Sequence, residues 1–309
     1  SAGDFSLRAR VAGTYRIRAE VVGRATVTSE PLTLVGGRSI EHRVVVAARI
    51  GVLSAVPVVE RAQCRTRPGD VAETAAIWEE AVKSLRAAAF SDQQRLLRFN
   101  VLRYTRAMDR KGERTIRETS ERHTVYTSAP FSATDPNVLS RDGYVRRDLL
   151  GSLYYGPDHA ALLSDAFTND HCFWVLQPLS QFSEEIGLAF EPVEGRELPE
   201  IRGTFWLDRS TGELRRLEFR YANIPEVDAD STAGGRILFS RVASGPWIAS
   251  EWSIRVPVIQ LPRNWKPGQS RSSKPRINGY TEAGARVLST SVVPPPPPPD
   301  EHPHGGDPS

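Results

Sequence analysis

The densest cluster of side chains with catalytic potential lies between Tyr154 and Phe173, in the run YYGPDHAALLSDAFTNDHCF. It contains His159, Asp165 and His171, and imidazoles beside a carboxylate can bind a metal ion or transfer a proton. The spacing does not support this chemistry, because metalloproteases place two histidines four positions apart on one helix with a glutamate between them. We therefore predict no catalytic and no metal-binding residue. A hydrolase that uses these three side chains is kept as an alternative hypothesis.

The same run has a simpler structural interpretation. Asp158 follows a proline and is typical of a helix N-cap, and Asn169-Asp170 is typical of a turn. Elsewhere no serine lies in a G-x-S-x-G motif and no glycine-rich loop opens a predicted helix. The sequence therefore predicts no cofactor.

Apolar and polar residues alternate through the first fifty positions, which predicts short strands with one buried face. The predicted strands cover residues 4–11, 15–21, 26–34 and 40–46. The run SAGDFSLRARVAGTYRIRAEVVG resembles the second half of a carboxypeptidase regulatory-like, transthyretin-type β-sandwich, and the resemblance covers residues 1–48. It implies an accessory module that is truncated at its N-terminus and has no catalytic residues. A fragment with unpaired strand edges is expected to pack against the rest of the chain.

One long helix is predicted after Pro68-Gly69, with Asp70 as its N-cap and Glu73 three positions later. Its apolar stripe comprises Val71, Ala75, Trp78, Val82, Leu85 and Ala89. Nearly everything after it has the pattern of strands joined by short turns, which predicts a curved antiparallel sheet wrapped around the helix. The predicted strands are 95–106, 115–127, 173–177, 187–192, 201–207, 214–221, 236–242, 248–258 and 277–288.

The hairpin GTFWLDRSTGELRRLEFRYAN, residues 203–223, and the order of the elements resemble the half-barrel of periplasmic lipoprotein carriers of the Lol type. This resemblance implies a concave apolar face that holds acyl chains. Candidate residues for lining such a ligand site are the strand aromatics Phe205, Phe219, Tyr221, Phe239 and Trp252. The alternative is a plain α+β sheet in which the same aromatics form a filled core.

The fold class is therefore predicted to be mainly β, with a partial β-sandwich followed by an α+β domain. The predicted domains are 1–48, 49–293 and a proline-rich disordered tail at 294–309, which begins with six consecutive prolines.

Cys64 and Cys172 are 108 positions apart and fit no C-x-x-C motif, which leaves a disulfide or two buried thiols. We predict the disulfide, because the accessory module and the tail favour export, and disulfides persist in exported proteins. The chain does not begin with methionine, so any targeting peptide is expected to lie upstream of Ser1.

The 40 basic residues are interleaved with 37 acidic ones, so no basic stripe predicts a nucleic-acid partner. No apolar run approaches the length of a transmembrane helix. The sequence predicts a non-enzymatic bacterial protein of the periplasm or outer membrane that binds an apolar small molecule or an envelope protein partner. A structural or interaction module with a filled core is the second hypothesis.

Overall fold

A computed structural model describes residues 5–47, 64, 71–95, 97–131, 134–148, 151–176, 184–224, 232–243, 245–260 and 276–293. Its helices are Val71–Gln93 (α1), Pro136–Asp142 (α2), His159–Leu162 (α3) and Asp165–Asp170 (α4). Its strands are Gly13–Tyr15 (β1), Arg18–Ala19 (β2), Val27–Thr28 (β3), Leu32–Leu34 (β4), Leu97–Met108 (β5), Thr115–Val125 (β6), Val145–Asp148 (β7), Gly151–Tyr154 (β8), His171–Leu176 (β9), Glu185–Pro192 (β10), Glu200–Asp208 (β11), Leu214–Ala222 (β12), Gly234–Arg241 (β13), Trp247–Gln260 (β14) and Arg276–Val292 (β15).

A nine-stranded antiparallel sheet dominates the molecule, in the order β6-β5-β15-β14-β13-β12-β11-β10-β9. The sheet is open, and each of its strands corresponds to one of the nine strands predicted after the helix. Adjacent residues of a strand point to opposite faces, so the register assigns every side chain to a face. Phe205, Leu217, Ile237 and Trp252 are successive register partners and therefore share one face.

Helix α1 packs against this apolar face and buries its own residues Ile77, Ala81 and Leu85 in the contact. Trp78 extends the contact, because its ring lies 5.6 Å from the ring of Phe205 and 4.9 Å from that of Phe173. The prediction of a sheet packed on one long helix is confirmed. Asp70, the predicted N-cap, lies outside the described residues.

Gly203 makes room for this core on β11. A Cβ atom there would lie 2.9 Å from the Phe190 ring and closer still to the backbone oxygen of Glu218. We expect Gly203→Ala to lower the free energy of unfolding by about 1–3 kcal/mol, as is typical of an overpacked core. Urea denaturation measures the change. The control is Gly36→Ala, which meets nothing within 4 Å and is expected to change stability by less than about 0.5 kcal/mol.

The N-terminal segment forms two small ribbons, in which β1 pairs with β4 and β2 pairs with β3. The predicted strands at 4–11 and 40–46 are wrong for the described residues, since 5–12 and 35–47 contain no strand. Alternation predicts a strand only where a partner supplies hydrogen bonds and a cover, and Leu7 and Val11 remain 72% and 70% exposed. A β-sandwich is not confirmed.

These ribbons pack against α1 through a buried ion pair. Lys83 Nζ lies 2.9 Å from Glu80 Oε1 and donates a second hydrogen bond, also 2.9 Å long, to the carbonyl of Arg24. Glu80 Oε2 accepts a hydrogen bond from the backbone N–H of Gly23 at 2.9 Å. The N-terminal segment therefore packs against α1, as expected of a fragment with unpaired strand edges.

Cys64 and Cys172 form a disulfide, with their Cα atoms 5.6 Å apart. The predicted pairing is confirmed, and it attaches Cys64 to β9, the edge strand of the large sheet. The neighbours of Cys64 in the connector, and the whole tail at 294–309, lie outside the described residues.

Candidate ligand-binding site

The three side chains of the predicted hydrolase cluster lie in separate surroundings. His159 begins α3, where its Nδ1 lies 3.9 Å from Asp92 Oδ2, and burial lowers the pKa of the imidazole. Asp165 lies in the first turn of α4 and is exposed. Neither is hydrogen-bonded to His171 among the described contacts. The structure thus does not assemble these residues into one constellation.

His171 is buried between two backbone carbonyls. Its Nδ1 lies 2.9 Å from the oxygen of Phe167, and its Nε2 lies 3.1 Å from the oxygen of Ile201. Burial lowers the pKa of His171 to about 4 and raises that of Glu200, 3.5 Å away, to about 7. Arg196 donates a hydrogen bond to Glu200 at 2.6 Å and closes the cluster. These contacts tie β9 to β11 and leave the imidazole enclosed.

The five aromatic candidates for lining an apolar site are buried, and Phe219 is also among the residues that line the trough described below. Each is at most 9% exposed, and all five belong to the cluster of side chains between the sheet and the helices. The ring of Tyr221 lies 5.0 Å from that of Tyr154 and 5.9 Å from that of Phe219. Helix α1 therefore covers the face on which the resemblance to half-barrel carriers placed a ligand. The residues are Phe205, Phe219, Tyr221, Phe239 and Trp252.

The opposite face of the sheet, here called the outer face, carries an open trough of about 900 Å³. Two register rows cross it. The first row is Arg202, Arg220, Gly234, Arg255, Glu282 and Arg106 on successive strands from β11 to β5. The second row is Thr204, Glu218, Arg236, Ser253, Gly284 and Tyr104 on the same strands. Glycines in both rows leave space between the larger side chains.

Paired charges occupy one end of the trough. Buried Glu282 accepts hydrogen bonds from Arg106 at 3.1 Å and from Arg255 at 2.6 Å. Glu251, two positions before Ser253 on β14, accepts hydrogen bonds from Arg236 at 2.7 Å and from Arg286 at 2.8 Å. Burial opposes ionisation of Glu251, but these two arginines outweigh it and lower the pKa of the carboxyl. Burial raises the pKa of the nearby Tyr104 hydroxyl. Each of these carboxylates is therefore neutralised within the protein.

The other end of the trough combines unpaired arginines with apolar surface. Arg202 and Arg220 are exposed, directly opposite each other, and joined to no other described residue by a hydrogen bond or ion pair. Ala189, the register partner of Thr204 on β10, continues the second row to half-buried Trp174 on β9. Leu176 also lines this end. Positive charge and apolar surface thus lie side by side.

Sequence reasoning missed this site. The hairpin of residues 203–223 is recognisable in the sequence, and the alternation along its strands indicates which positions are exposed. The sequence cannot show that Arg202 and Arg220, eighteen positions apart, face each other, because that depends on the register of β11 against β12. The only signal in the sequence is that several strands carry arginine on the face away from their aromatics.

Among the described residues, no group of three or more histidine, cysteine, aspartate or glutamate side chains could hold a metal ion. None of the described helices is long and apolar enough to cross a membrane.

Comparisons with known proteins do not identify a family. No protein-family model matches the chain, and no curated protein matches its sequence. The resemblances to carboxypeptidase regulatory-like modules and to Lol-type carriers therefore gain no support from sequence comparison. Among solved structures, the chain is similar to a DUF1329 family protein from Desulfovibrio piger, with 9% identity over 66% of this chain and 92% of that one. The TM-score is 0.25, so the likeness carries no argument about fold or function.

Proposed function

We propose that the chain is a non-enzymatic, exported protein of the cell envelope that binds an amphiphilic ligand in the trough on the outer face. The observation that carries this proposal is the trough itself, because about 900 Å³ lies within the range of small-molecule sites. The disulfide supports export, since such bonds persist in oxidising compartments.

The lining suits binding better than catalysis. Guanidinium groups keep their protons at any physiological pH, so Arg202 and Arg220 do not act as acids or bases. Glu282 and Glu251 are each held by two arginines. The trough therefore offers fixed charges and hydrogen bonds beside an apolar end, the combination that orients an amphiphile.

The proposed ligand site lies on the opposite face of the sheet from the site that the sequence predicts. Helix α1 fills the face that carries Phe205 and Trp252, so an acyl chain has no room beside these rings. That filled core also favours the second hypothesis, an interaction module without a small-molecule site. Binding of a small amphiphile distinguishes the two.

The test is a fluorescence titration with N-phenyl-1-naphthylamine, an uncharged apolar probe. Thr204→Trp fills the floor of the trough with a large ring, and we expect it to weaken binding at least tenfold. The matched control is Thr105→Trp, because Thr105 is exposed on β5 and points away from the outer face. We expect the control to bind like the wild type. Equal binding by all three proteins would contradict a ligand site in the trough.

A further inference from the structure

Arg202 and Arg220 form an electrostatically unfavourable pair. They are register partners on β11 and β12, so their Cβ atoms lie about 5 Å apart on one face. Like charges directly opposite each other on neighbouring strands destabilise a sheet. Register partners elsewhere in the same row alternate in sign, since Glu282 lies between Arg255 and Arg106. The pair thus breaks the charge pattern of its own row.

Two carboxylates lie near this pair, and neither is joined to Arg202 or Arg220 by a described hydrogen bond or ion pair. One is Glu191 on β10, which also lines the trough. The other is Glu218, two positions before Arg220, which accepts hydrogen bonds from Trp206 Nε1 at 3.0 Å and from Arg216 Nε at 3.3 Å. Gly234, the partner of Arg220 on β13, has no side chain. The β13 side of Arg220 is therefore open towards the middle of the trough.

We propose that Arg202 and Arg220 bind the phosphate head group of an amphiphile whose apolar part lies along Thr204, Ala189 and Trp174. This inference rests on the proposed function and names the ligand class of the same site. Two guanidinium groups present several N–H donors in planar forks, and phosphate accepts bidentate bonds from each. A phosphate monoester carries about −1.5 to −2 charges at neutral pH, which matches two cations better than a single carboxylate does.

The apolar end of the trough determines which way the apolar part of the ligand extends from the arginines. Thr204 is two positions from Arg202 on β11, so the two side chains share the outer face about 7 Å apart. Ala189 and then Trp174 follow on the next two strands towards the sheet edge, each about 4.8 Å further. A head group at the arginines would thus place its chain across β10 and β9, away from the ion pairs of Glu282.

The experiment is isothermal titration calorimetry at 0.15 M salt with dodecyl phosphate, dodecyl maltoside and inorganic phosphate, each below any critical micelle concentration. The variants are Arg202→Gln, Arg220→Gln, the double variant and Thr204→Trp. The control is Arg103→Gln, which removes an exposed arginine of β5 from the opposite face. We expect each single variant to weaken dodecyl phosphate about tenfold, to change dodecyl maltoside less than twofold, and Arg103→Gln to change neither.

The outcomes distinguish failure of the phosphate assignment from failure of the trough as a binding site. If Thr204→Trp blocks both detergents while the arginine variants bind dodecyl phosphate like the wild type, the phosphate assignment is overturned and the trough remains the binding site. If Thr204→Trp blocks neither detergent, both proposals fall. If inorganic phosphate binds as tightly as dodecyl phosphate, the site takes free phosphate and the amphiphile assignment is overturned.

Discussion

Replacing Cys64 and Cys172 together with serine is expected to lower the free energy of unfolding by about 4–5 kcal/mol. The disulfide closes a loop with a sequence separation of 108 residues, and in the chain-entropy model a loop of roughly 100 residues stabilises by about 4.7 kcal/mol. The bond also joins Cys64 to the edge strand β9, and its loss releases Cys64 from the large sheet. Equilibrium urea denaturation of oxidised wild type and double variant measures the difference.

Reduction provides the control for this prediction. Wild-type protein in excess dithiothreitol should unfold like the serine variant, and the variant itself should not respond to dithiothreitol. A difference of less than about 1 kcal/mol between oxidised wild type and variant would show that the bond contributes little to the folded state. A loss of this size is a large share of the stability of an ordinary domain. The measurement should therefore be made at low temperature, so that the variant is still folded without urea.

Lys83→Ala is expected to cost about 3–5 kcal/mol, because it removes one partner of a buried ion pair. The two side chains are 3% and 6% exposed, and Lys83 also binds the carbonyl of Arg24. The same change should release the N-terminal ribbons from α1, since Glu80 binds the Gly23 N–H. Urea denaturation measures the stability, and limited trypsin digestion measures exposure of the ribbons.

Two further variants test whether the effect of Lys83→Ala comes from the buried ion pair. The double variant Glu80→Leu/Lys83→Met replaces the whole buried ion pair by apolar side chains and should recover most of the loss, since this is less costly than removing one partner alone. Arg86, also on α1, forms an exposed ion pair with Glu20 of the N-terminal segment, and Arg86→Ala should cost under about 1 kcal/mol. If Lys83→Ala cost no more than Arg86→Ala, the buried pair would not hold the ribbons.

Much of the large sheet was accessible from the sequence. Strands such as β14 alternate cleanly between apolar and polar residues, and α1 carries a helical stripe, so short-range periodicity identifies both. The two cysteines fit no C-x-x-C motif, and the disulfide is predicted only with the further expectation of export. Periodicity gives the wrong prediction for the N-terminal segment. Phe5, Leu7 and Val11 alternate with polar residues, but in the described structure this stretch has no neighbouring strand to pair with.

The sequence by itself determined the nine strands of the large sheet and the long helix, because periodicity acts along the chain. The spacing of the cysteines leaves open a disulfide or two buried thiols, and the structure shows the disulfide. Only the tertiary structure decided which face of the sheet is filled and which is open. Trp78 and Leu85 cover the aromatic face, while the register of β11 against β12 brings Arg202 opposite Arg220. Helix packing and strand register join residues far apart in sequence, so no local pattern contains them. The site proposed for this protein exists through those long-range contacts.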